Sequence, residues 1–90
     1  MAESRVRRRI RTAILDLAQR RGMRKSLCPS EVARALDPAD WRTLMPAVRQ
    51  AATELADEGR IAVEQKGQTV NPHLATGPIR LRLTAPDGTA

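Results

Sequence analysis

Residues 44–61 leave the chain little freedom in how it can fold. Apolar side chains fall at Leu44, Val48, Ala51, Ala52 and Leu55, a spacing that puts them on one face of a helix with 3.6 residues per turn. The opposite face then carries Arg42, Pro46, Arg49, Gln50 and Thr53. Gly59 follows, a residue that readily takes the positive φ at which helices end. Arg60-Ile61-Ala62-Val63-Glu64-Gln65 comes next, with the period-two alternation of a strand. The expectation is a helix that reaches Glu58 with a polar, partly basic outer face and runs directly into a β-strand.

Upstream, Val6, Ile10, Ala13, Ile14 and Leu17 make the buried stripe of a first helix. Glu3 or Ser4 can open it, where an acid or hydroxyl meets the positive end of the helix dipole, and Gly22 closes it. Arg5, Arg8, Arg9 and Arg11 lie mostly outside the stripe, and Arg20-Arg21-Gly22-Met23-Arg24-Lys25 makes a basic loop. Leu27 is expected to pair briefly with the later sheet. In Cys28-Pro29-Ser30-Glu31-Val32-Ala33-Arg34-Ala35-Leu36, Pro29 suits a first helical position and Glu31 sits where a capping-box acid would sit. Cys28 therefore takes the cap position, as a small half-buried filler. Val32, Ala33 and Leu36 form the inner face of this second helix, and Asp37-Pro38 ends it. Asp40-Trp41-Arg42-Thr43-Leu44 reads as a further helical turn, with Trp41 a lid on the core. Pro46 cannot donate to the preceding turn, which predicts a kink or break at Met45-Pro46.

Ile61 and Val63 should face inward, with Ala62 and Glu64 outward. Residues 67–77 read as a long loop broken by Asn71-Pro72. Pro78-Ile79-Arg80-Leu81-Arg82-Leu83 is a second strand with Ile79, Leu81 and Leu83 inside and Arg80 and Arg82 outside. The order is that of an α+β fold, a winged helix-turn-helix with three main helices and a C-terminal β-hairpin wing. It fills one domain over residues 3–83, followed by a flexible tail at 84–90. Ile10, Ile14, Leu17, Val32, Leu36, Val48, Leu55, Ile61, Val63, Ile79 and Leu81 should form the core. With one Trp and no Tyr or Phe among 90 residues, that core must be aliphatic.

Little in the chain carries covalent chemistry. One His and one Cys cannot build a tetrahedral zinc site unaided. His73 is read as solvated in its loop, and Asp57 and Glu58 as a solvated helix end. There is no Ser-His-acid set, phosphate loop or glycine fingerprint, so neither an enzyme nor a cofactor is expected. The single Cys excludes an internal disulfide, which suits a reducing, cytoplasmic setting. No apolar run approaches the roughly 20 residues that cross a bilayer, so a membrane partner is not expected.

The net charge of +6 favours polyanionic partners through counterion release. Its distribution is uneven: residues 1–25 carry +7 and residues 26–90 carry −1. Residues 41–53 hold two arginines and no acid, yet acids at both ends make residues 37–58 net −3. Arg42, Arg49, Gln50 and Thr53 are types that read base edges or bind phosphate. Lys66, Arg80 and Arg82 could follow a phosphate backbone, and Arg5 and Arg8 could extend that contact from the first helix. Duplex DNA is the expected partner, bound by a monomer or weak dimer. A protein-interaction adaptor is the main alternative, because fold does not fix function. Structured RNA, favoured mainly by the arginine-rich first helix, is a third.

Cys28-Pro29-Ser30-Glu31-Val32-Ala33-Arg34, Trp41-Arg42, Met45-Pro46, Val48-Arg49, Gly59-Arg60-Ile61, Gln65-Lys66-Gly67 and Gly77-Pro78-Ile79-Arg80-Leu81 resemble a family of short bacterial proteins, domain-of-unknown-function family 3253. The resemblance covers roughly residues 5–83. It implies a winged-helix fold of bacterial origin and no assigned activity. Asn71 stands where the resemblance leads one to expect Asp before Pro72. More distantly, residues 27–36 and 48–61 are similar to the helix-turn-helix and following strand of MarR-type regulators, which carry additional dimerisation helices.

Overall fold

The computed structural model describes residues 2–84, with side chains from residue 5 onward. The expected tail, beyond residue 84, and the capping side chains of Glu3 and Ser4 lie outside the described residues. The fold is α+β: α1 (Ala2–Arg21), α2 (Pro29–Leu36), α3 (Trp41–Asp57), β1 (Ile61–Gln65), β2 (Gln68–Thr69) and β3 (Arg80–Leu83). The three strands form an antiparallel sheet in the order β2-β1-β3. Leu27 exchanges two backbone hydrogen bonds of 2.8 Å with Leu81, so the segment between α1 and α2 edges the sheet beside β3, as expected.

The apolar periodicity explains the packing. Val48, Ala51, Ala52 and Leu55 of α3 are buried. Against them lie Ile10, Ile14 and Ala18 of α1, Val32 and Ala33 of α2, and Leu27, Ile61, Val63, Ile79, Leu81 and Leu83 from the sheet side. Leu17 and Leu36, expected inside, pack only half-buried at the margin. Alanines at 51 and 52 hold α3 close to its neighbours, which long side chains there would push apart.

Two glycines end helices as read. Gly59 has φ +77°. Its N–H donates to the Ala56 carbonyl and that of Arg60 to the Leu55 carbonyl, both at 3.0 Å, the paired bonds of a Schellman motif. Gly22, at φ +80°, donates to the Ala18 carbonyl at 3.0 Å.

Two expectations are corrected. There is no break at Met45-Pro46: α3 runs through Pro46 without interruption. Proline removes one bond there, to the Arg42 carbonyl. Arg42 and Pro46 are both exposed, so water can take that carbonyl, while Trp41, Leu44, Met45 and Val48 anchor both sides of the step on the core. The 67–77 segment is also not one open loop. Lys66 (φ 53°) and Gly67 (φ 81°) make a two-residue turn with the positive angles of type I′, which returns the chain as β2, pairing Gln65 with Gln68 and Glu64 with Thr69. Gln68 and Thr69 are exposed and show no apolar alternation, so nothing in their pattern announces a strand.

Leu55 is fully buried at the centre of this packing. Leu55→Ala should cost about 2–5 kcal/mol through lost burial and the cavity left behind. Urea unfolding measures it, and a loss below about 1 kcal/mol would contradict the central place given to α3.

Candidate nucleic-acid interface

The acids that crowd the ends of α3 are occupied within the fold. Glu54 and Glu58 project toward α1, where Arg7 donates to Glu54 at 2.5 Å and Arg11 to Glu58 at 2.8 Å, with a longer bond from Arg11 to Glu54 at 3.5 Å. These residues ring a shallow depression with Arg8. Asp57 meets His73, whose Nε2 lies 2.8 and 3.0 Å from the two carboxylate oxygens. Asp57, Glu58 and His73 are exposed, as read, but His73 is not alone in its loop. A chain-distant partner reaches each of them, which local sequence could not reveal. Asn71 supports the His73 turn by accepting the His73 backbone N–H on its side-chain oxygen at 2.9 Å, a role that Asp and Asn share.

The outward face of α3 carries Arg42, Arg49, Gln50 and Thr53, with the exposed Asp57 at its C-terminal end. Arg42 and Arg49 are two turns apart, about 10 Å along the axis. Neither makes an ion pair among the described residues. The Thr53 hydroxyl donates to the Arg49 carbonyl at 3.0 Å. Gln50 is exposed and also hydrogen-bonds Glu54. Arg5 and Arg8 are exposed on α1, and Lys66 is exposed on the β1–β2 turn.

Arg80 and Arg82 are differently employed. Arg80 donates to the Ser26 hydroxyl at 2.9 Å and the Ser26 carbonyl at 3.2 Å. Arg82 forms a two-pronged pair with Glu64 at 3.0 and 3.2 Å and donates to the Met23 carbonyl at 3.2 Å. Both side chains hold the 22–26 segment against the sheet. Arg21 joins them, pairing with Glu31 and donating to the Ser26 carbonyl. Glu31 in turn accepts the Cys28 backbone N–H at 2.8 Å, the capping-box contact read from its position. The Cys28 sulfur accepts the Ser30 hydroxyl at 3.2 Å.

Trp41 is half-buried at the core margin, as expected of a lid. It also has a role that its sequence neighbourhood did not suggest. The guanidinium carbons of Arg34 and Arg42 lie 4.3 and 4.4 Å from its ring centroid. Arg34 carries no local signal for this, because the contact depends on how α2 meets α3.

The family model for proteins of unknown function DUF3253 matches residues 7–84. The chain belongs to that family. A search of curated proteins finds no match. No helix among the described residues is long and apolar enough to cross a membrane. Among those residues no group of three or more His, Cys, Asp or Glu is arranged to hold a metal ion.

The ion pairs set a pH dependence. Arg7 holds the Glu54 carboxyl below the usual carboxylate range, Arg11 does the same for Glu58, and Arg21 for Glu31. A carboxyl depressed in the folded state contributes stability above its unfolded value and loses that contribution as pH falls through the folded value. Folding stability should therefore decline as pH falls through and below the ordinary carboxylate range. Glu54→Gln should make that decline shallower, and so should Glu58→Gln. Urea titrations across this range measure both.

Proposed function

We propose that the protein is a winged-helix nucleic-acid-binding domain that engages duplex DNA chiefly through phosphates, with α3 as the groove-facing helix and the β1–β2 turn as the wing. The observation that supports this most is the sorting of charge around α3. Glu54 and Glu58 pair with Arg7 and Arg11 of α1, while Arg42, Arg49, Gln50 and Thr53 stay on the outward face. The outward face of α3 thus carries Arg42 and Arg49 without an acidic partner among the described residues, with the exposed Asp57 at its C-terminal end. Arg49 and Gln50 are the side chains suited to base edges, with Arg matched to guanine and Gln to adenine. Arg42, Lys66, Arg5 and Arg8 are suited to phosphates, which fix register without carrying sequence information. Arg80 and Arg82 are given a supporting role in the fold, since a phosphate would have to compete with their bonds to Ser26, Glu64 and Met23.

A dye-labelled 20-base-pair duplex, followed by fluorescence anisotropy at two salt concentrations, tests the proposal. Wild type should bind non-specifically with a Kd of about 10⁻⁴–10⁻⁶ M and weaken steeply with added salt. Arg49→Ala should cost about 1–3 kcal/mol at a preferred sequence and little elsewhere if Arg49 reads a guanine. Arg82→Ala should lower folding stability and leave the salt slope of the folded fraction nearly unchanged. No binding at low salt up to high micromolar protein would overturn the DNA reading and leave the adaptor reading in front.

A further inference from the structure

Trp41 opens α3 and is the chain's only aromatic residue. Two cations from different helices stack on it: Arg34, in the last turn of α2, and Arg42, in the first turn of α3. Because both guanidinium carbons lie within 4.4 Å of one centroid, they are no more than twice that distance apart. A carboxylate nearby would neutralise either cation. Among the described residues, neither Arg34 nor Arg42 has one. The nearest acids in sequence are engaged elsewhere: Glu31 pairs with Arg21, Asp37 accepts the Asp40 N–H at 3.1 Å and Asp40 accepts the Thr43 hydroxyl at 2.8 Å.

An indole face attracts a guanidinium through its quadrupole and does not use up the fork of donors as a carboxylate would. The ring therefore orients two donor forks without consuming their hydrogen bonds. Acceptor-rich anions with repeated negative charge match such a pair, and a phosphodiester backbone is the one that fits its position. Arg42 belongs to the outward stripe of α3, with Arg49 two turns further on, so a strand gripped here borders the groove that α3 would enter.

We propose that Arg34, Trp41 and Arg42 form a phosphate clamp that grips the backbone of duplex DNA at the start of α3. The clamp rests on the DNA reading above and adds to it a site, a ligand group and a residue, Arg34, outside the helix face first singled out. Trp41 is a positioning residue in it, and the two arginines make the contact.

The chain reports on the clamp directly, since Trp41 is its sole source of tryptophan emission and there is no Tyr. A dye-labelled 20-base-pair duplex is titrated at low salt while dye anisotropy and Trp41 emission are read together. The expected result is a change in Trp41 emission with the same midpoint as the anisotropy. Arg34→Gln and Arg42→Gln should each weaken binding several-fold and reduce the magnitude of the salt slope by about 1. Trp41→Leu, checked for helical content by circular dichroism, should weaken binding while both arginines remain. Should anisotropy rise normally while Trp41 emission stays constant and Arg34→Gln binds like wild type, the clamp is rejected and the DNA reading stands. Absence of any anisotropy change rejects both. Tighter binding to a structured RNA of equal length than to the duplex also overturns the clamp as a duplex site.

Discussion

The apolar stripe of α3 is the constraint on which the other elements depend. Val48, Ala51, Ala52 and Leu55 are all essentially inaccessible to solvent, and α1, α2 and β1 each pack on the helix that carries them. In a core with no Tyr or Phe, the apolar area removed from water comes from aliphatic side chains. A chain of this size has one such core, so each surrounding element takes its position from this helix. The Schellman turn at Gly59 then fixes where the chain leaves α3 and enters β1, aligning Ile61 and Val63 with the same interior.

Electrostatics refine that arrangement. Exposed ion pairs contribute little individually, and the α1–α3 pairs are no exception. Arg7 and Arg11 tie Glu54 and Glu58 to α1, and Arg42 and Arg49 lie on the N-terminal side of the acids of this helix. On the other side of the fold, Arg21, Glu31, Ser26 and Arg80 link the end of α1, the start of α2 and β3. Arg82 and Glu64 bind β3 to β1 and to the 22–26 segment. Arginines that looked interchangeable by composition thus divide into those that hold the fold and those that face solvent with no acidic partner among the described residues, including Arg34, Arg42 and Arg49.

Much of the fold was legible from residues alone. The α3 stripe, the glycines after α1 and α3, the alternation of β1 and β3, the Glu31 cap and the Leu27 pairing all follow from local spacing and are present. The misreadings share a physical origin. Pro46 looked like a break because its missing hydrogen bond is a local cost, whereas the packing that offsets it is tertiary. β2 was invisible because its two exposed residues pair through backbone bonds that need no apolar pattern. The candidate surface was less legible than the fold: the residues on α3 could be named, but their chemical availability could not.

Sequence by itself determined the periodic features of this protein: which side chains share a helix face, where helices stop, which strand residues point inward, and that the core is aliphatic. These follow from steric and hydrophobic rules acting over a few residues. Tertiary structure alone decided which chain-distant charges meet. Arg7 and Glu54 are 47 positions apart and Arg80 and Ser26 are 54 apart, and Arg34 reaches Trp41 only because α2 turns back against α3. Long flexible side chains choose partners by proximity in the folded state, and no period in the chain encodes that proximity.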